Sequence, residues 1–278
     1  GAGSGQCFSC RLTRNKPDAG DTIAMEKLAE TEVSKRRLVL QLLQLDLPIV
    51  GWRQRDGGLG FDLLSSRSSG ERVTIGHANG IITIDLAESL DDWRESLRVK
   101  LGEPYRTMLG HLRHEVGHYY DFQLIPEGPQ RDAYRAMFGD ERASYRDAIT
   151  RHYELGAPEG WQANFISEYA TMHPWEDFAE TFAHYLHITG TLGTAAAAGV
   201  RLDHGVTGMR DVDVEPLADY RDQSIQRLTD DWKWLSLVFN RINRSMGARD
   251  LYPFDLNAAV RRKLEFVHKL VQRVADDA

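Results

Sequence analysis

Cysteine is scarce in this chain: only Cys7 and Cys10 occur among 278 residues. A disulfide-stapled scaffold is excluded, and a reducing compartment suits the pair. No apolar run approaches the ~18 residues that a membrane span needs. Gly1 to Gln6 carries no apolar signal core and Gly1 to Gly5 reads as a linker, so a cytoplasmic protein without a membrane partner is expected. Excess positive charge is also missing. Lys plus Arg number 34 against 41 Asp plus Glu, a net charge of −7. A bulk electrostatic grip on nucleic acid is therefore not expected. No internal repeat or long low-complexity stretch is present, and 278 residues suffice for one large domain, or one domain with small appendages.

What is there falls into three parts. Residues 24–45 predict a helix, with Leu28, Val33, Leu38, Leu42 and Leu45 near helical spacing. Its Lys35-Arg36-Arg37 cluster reads as a solvated face. Residues 51–86 are punctuated by glycine. Arg72 to Ile75 and Ile81 to Ile84 flank His77-Ala78-Asn79-Gly80, a hairpin signal, so a small, mainly antiparallel sheet is expected. From about residue 88 the pattern is helical: 88–101 (capped by Ser89 or Asp91), 104–122 (with Pro104 in its first turn), 129–138, 140–155, 161–170, 174–189, 213–229, 231–245 and 255–276. The Ala195 to Ala198 tract adds a helical segment. The fold class is α+β.

The chemistry-bearing motif is His114-Glu115-Val116-Gly117-His118, an H-E-x-x-H. On a helix, positions i and i+4 share a face, so both imidazoles can reach one metal ion. Glu115 sits about 100° round the helix from His114, where its carboxylate meets a water and not the metal. The competing reading is a surface helix with two histidines. No histidine follows His118 closely, so a third ligand must come from elsewhere. The richest region is His173 to His187, where Pro174 and the periodic Trp175, Phe178, Phe182, Tyr185 and Leu186 mark a helix. Glu176, Glu180, His184 and His187 lie along one stripe of it. That stripe is either a buried polar site or a solvated face.

Glu176-Asp177-Phe178-Ala179-Glu180 resembles the glutamate helix of gluzincin metallopeptidases. It is also similar to the lethal-factor type of protease, where a tyrosine seven positions before the ligand glutamate faces the zinc; Tyr169 stands there. Longer stretches resemble a bacterial family of zinc-binding metallopeptidases with an N-terminal zinc ribbon. They are Ser9 to Arg14, Gly102 to Thr107, Arg113 to Tyr120, His173 to His187, Asn243 to Gly247 and Asp250 to Phe254.

The resemblance implies a zincin-like peptidase domain over residues 23–278, with residues 1–22 a truncated ribbon remnant and linker. A ribbon zinc needs four ligands. Cys7 and Cys10 supply two, and nothing in the spacing recruits His77, so no metal is expected there. The resemblance further implies one Zn²⁺ on His114, His118 and Glu176, with Glu115 as general base and Tyr169 helping to stabilise the oxyanion. Tyr169 as a core aromatic stays open, as does the reverse assignment with Glu180 as ligand and Glu176 in support. His184 and His187 are expected in structural or supporting roles, His173 as a cap or pocket wall, and His111 at the surface. Glu168 or Asp177 could anchor a substrate amine, and Asp250 to Phe254 could border the cleft. The expected function is hydrolysis of a peptide or protein amide by a metal-activated water. The alternatives are a zinc hydrolase of a non-peptide amide or small metabolite, and a catalytically silent zinc-containing binding protein.

Overall fold

The computed structural model describes residues 5–87, 107–207 and 213–276. The expected helix 88–101, its caps and Pro104 lie outside the described residues.

Seven helices longer than one turn frame the described chain. Helix α1 (Thr22–Gln44) starts where the Asp21 carboxylate accepts from the Ala24 N–H. It buries Ala24, Leu28, Thr31, Leu38, Val39 and Leu42 on one face. Helix α2 (Met108–Leu124) is capped by Thr107, which accepts from the Gly110 N–H. Helix α3 (Pro129–Phe138) falls where its pattern predicts. Helix α4 (Tyr145–Leu155) begins five residues later than expected, because Ser144 caps it. The expected helix 161–170 is two 3₁₀ turns, Trp161–Ala163 and Tyr169–Thr171.

Helix α5 (Pro174–Ala197) runs past the predicted end and absorbs the first residues of the alanine tract. Helix α6 (Ile225–Ser245) merges the end of one predicted helix with the next. The stretch before it is irregular at residues 213–224, where Pro216 cannot donate to a helix and Val214 bridges to Leu202. Helix α7 (Ala258–Asp276) completes the chain.

Four short strands form one sheet, β1 (Thr13–Asn15), β2 (Gly60–Leu64), β3 (Gly76–Ala78) and β4 (Ile81–Asp85), in the order β1-β2-β4-β3. The expectation of a mainly antiparallel sheet is corrected. β1 with β2 and β2 with β4 are parallel; only the β3–β4 hairpin is antiparallel. A tight turn reveals itself locally, whereas a parallel pairing joins segments remote in sequence. The hairpin turn is Asn79-Gly80, with φ of 45° and 80°. Its first strand follows the predicted run instead of coinciding with it.

The sheet face and α1 enclose Leu38, Leu42, Phe61, Leu63, Ile82 and Ile84, all fully buried. Lys35 corrects the solvated-face reading of its cluster. It is fully buried, donates to Glu32 Oε1 at 2.8 Å and to Thr13 Oγ1, and burial lowers its pKa. Among the described residues, no helix is long and apolar enough to cross a membrane.

Candidate metal centre

Helices α2 and α5 pack side by side, and this contact builds the site. Gly117 makes it close. A Cβ there would stand 2.9 Å from Ala179 Cα and 3.1 Å from its carbonyl oxygen. Tyr120 stacks on Phe182 at 5.3 Å and anchors the same interface. With the backbones this near, side chains three residues before and one after Ala179 reach the H-E-x-x-H face.

The donor atoms converge. His114 Nε2 lies 3.2 Å from His118 Nε2 and 2.9 Å from Glu176 Oε2, and His118 Nε2 lies 3.5 Å from that oxygen. His114, His118 and Glu176 thus form a group able to hold a metal ion. Tetrahedral zinc, with bonds of about 2.0–2.2 Å, sets its ligand atoms about 3.3–3.6 Å apart. The observed triangle is within a few tenths of an ångström of that. Glu176 is 2% exposed, and its Oε2 is buried against the two imidazole nitrogens. A buried carboxylate oxygen facing two imidazole nitrogens is what a cation would satisfy.

The neighbouring groups fix orientation. His114 Nδ1–H donates to Glu180 Oε1 at 2.7 Å, and the Ser167 hydroxyl donates to Glu180 Oε2 at 2.7 Å. In the neutral ring the Nδ1 proton leaves the Nε2 lone pair pointing into the triangle. Burial pushes the His114 imidazolium pKa down, but the hydrogen bonds and charges of Glu176 and Glu180 overcome it and hold it well above its usual value. Burial likewise pushes Glu176 up, and the facing His118 and His114 pull it well below. Two carboxylates and two imidazoles here hold a proton where a metal ion would compete for it.

A cleft of about 560 Å³ opens over the triangle. Glu115, 6% exposed, lines it, with Tyr169, whose ring centroid is 5.6 Å from that of His114. The edge strand β3 forms one wall through Gly76, His77 and Ala78. His77 stacks on His118 at 6.3 Å and on Phe122 at 6.1 Å. Burial and the nearby His118 lower its pKa to about 4.

The remaining sequence candidates separate. His173 caps α5, its Nδ1 accepting from the Trp175 N–H. His184 Nδ1 is 2.7 Å from the Tyr252 hydroxyl, and its ring meets Phe254 at 4.4 Å. Phe254 lines the cleft. His187 Nδ1 accepts from Arg113 at 2.7 Å. His111 is not a surface residue but a cleft-lining one. Asp177 pairs with Lys263 at 2.6 Å, away from the cleft, and neither it nor Glu168 lines it. Cys7 and Cys10 are free, with sulfurs 3.3 Å apart, and belong to no metal-holding group among the described residues.

His77, Trp175 and Tyr145 are among the cleft residues to which sequence reading assigned no such role. The Tyr145 hydroxyl donates to Glu176 Oε1 at 2.7 Å. No spacing rule links a residue 31 positions away, although His77 was visible as the one histidine of the hairpin.

Residues 24–270 match the family described as "Putative zinc-binding metallo-peptidase", and the chain belongs to it. Uncharacterized proteins of Mycobacterium bovis and of Mycobacterium tuberculosis are 48% identical over 275 residues, which is 98% of this chain and 78% of their own lengths. No solved structure matches.

Proposed function

We propose that the chain is a zinc-dependent peptidase in which His114, His118 and Glu176 hold one Zn²⁺. The observation that carries the reading is the triangle of His114 Nε2, His118 Nε2 and Glu176 Oε2, with edges of 2.9–3.5 Å, at the floor of an open cleft. Three protein ligands leave a fourth position for water or substrate. When bound there, Zn²⁺ would supply the positive charge that acidifies water and polarises a carbonyl.

The chain's own residues do the rest. Glu115 lines the cleft beside the triangle without joining it, which suits a general base. It takes the proton of the attacking water and delivers it to the leaving amine. Tyr169 is the phenol assigned to the developing oxyanion. Glu180 holds His114 in the tautomer that presents Nε2. The β3 edge favours an extended peptide over a small metabolite. β3 stands at the edge of the sheet and its residues Gly76, His77 and Ala78 line the cleft, which suits strand-like pairing with an extended substrate backbone.

The test pairs metal content with cleavage of a mixed peptide library, on wild type and Glu115→Gln. One zinc per chain in both, with cleavage only in wild type, is expected. A loss of base catalysis of about 10²–10⁴-fold is the scale. Zinc in both with no cleavage by either would refute the peptidase and favour a non-peptide hydrolase or a binding protein. No zinc in either after reconstitution would refute the metal site.

A further inference from the structure

The first residue of α4, Tyr145, touches Glu176, and the chain two residues before it is tied to the start of α5. His173 Nδ1 accepts from the Trp175 N–H, and its Nε2–H donates to the Ala143 carbonyl at 3.1 Å. One imidazole thus joins the segment that enters α4 to the first turn of α5. The Tyr145 ring is wedged between aromatic neighbours, 5.2 Å from the His173 centroid and 6.2 Å from Trp175. From that fixed ring the hydroxyl reaches Glu176 Oε1 at 2.7 Å.

A carboxylate has two oxygens and can bind an ion through one or both. Here Oε1 accepts the phenol proton, while Oε2 faces His114 and His118. We infer that Tyr145 is a positioning residue that makes Glu176 a one-oxygen metal ligand. The inference rests on the metal-site reading above and goes beyond it.

A further observation supports the assignment. A phenol carries its proton at neutral pH, and a carboxylate oxygen can only accept, so the 2.7 Å contact has Tyr145 as its donor. The Tyr169 hydroxyl in turn hydrogen-bonds to the Tyr145 oxygen. The order Tyr169 to Tyr145 to Glu176 is a chain of donors ending on the carboxylate. Occupying Oε1 also keeps the coordination number low, leaving the open position a substrate needs.

The experiment uses the full chain, with zinc affinity measured by chelator competition and the visible spectrum of the Co²⁺-substituted protein recorded. The variants are Tyr145→Phe, which keeps the packed ring, and Glu176→Gln; zinc-free unfolding reports whether each folds. For Tyr145→Phe, zinc affinity should fall about 10–100-fold, the scale for groups that orient metal ligands. Its Co²⁺ spectrum should lose intensity, as Oε1 becomes free to bind and coordination rises above four. Zinc affinity within twofold of wild type would overturn the inference. So would weaker binding with an unaltered Co²⁺ spectrum, since a merely structural defect leaves the coordination mode alone. Glu176→Gln separates the two levels. If it loses zinc while Tyr145→Phe does not, only the role of Tyr145 fails. If it binds zinc like wild type, the metal-site reading fails and the inference with it.

Discussion

Gly117→Ala should pry apart the two helices that frame the site. The added Cβ would stand 2.9 Å from Ala179 Cα, 3.1 Å from its oxygen and 3.3 Å from its Cβ. Relaxed carbon contacts lie at about 3.5–4.0 Å, so α2 and α5 must separate by about 0.6–1 Å. The opposing atoms are mainly backbone and cannot rotate away. Glu176 and Glu180 flank Ala179 on the same helix and would move with it. A zinc site tolerates roughly 0.2 Å of ligand displacement.

Two effects oppose each other in stability. Alanine gains about 1 kcal/mol of helix propensity over glycine. Overpacking costs about 1–3 kcal/mol. The net loss should be about 0–2 kcal/mol by urea unfolding of the zinc-free protein, with zinc affinity at least tenfold weaker by chelator competition. Gly110→Ala is the internal control. Its Cβ would meet only the side chains of Thr107 and His187, at 3.3 and 3.5 Å, so the propensity gain should survive and zinc affinity should hold. A Gly117→Ala protein that is more stable than wild type and binds zinc equally well would refute the argument.

Other outcomes follow from the same geometry. Glu180→Gln should keep zinc with about 10–100-fold weaker affinity, because it orients His114 without facing the triangle. Equilibrium dialysis beside Glu176→Gln checks this, and a larger loss in Glu180→Gln would reverse the assignment. Burial, with a smaller effect of His114, lowers the His184 pKa to about 4. The unfolded chain takes up that proton near pH 6.5 and the native protein near 4, so the unfolded state binds more protons in between. Stability should therefore fall as pH drops through that window, by up to about 3 kcal/mol from this group. Histidine NMR titration of the zinc-free protein checks the sign, and a His184 titrating near 6.5 would contradict it.

Local patterns carried much of the architecture. H-E-x-x-H lies on α2, Pro174 opens α5, and α1, α3 and α7 stand close to their periodic segments. Each depends on neighbours within a turn or two of chain: apolar spacing, a cap, a proline. The Asn79-Gly80 turn was legible for the same reason. Elsewhere local signals misled, as at residues 213–224, where helical spacing yields to Pro216 and a bridge to Leu202.

Tertiary structure alone decided the rest. The sequence put Glu176 and Glu180 on one stripe, one turn apart, and could not say which oxygen meets the imidazoles. The close approach of α5 to α2 at Gly117 turns Glu176 to the triangle and leaves Glu180 behind the His114 ring. The parallel pairings, the burial of Lys35, the His77 wall and the Tyr145 hydrogen bond share that origin. Each is set by where remote backbones meet, a distance that periodicity within a single element does not encode.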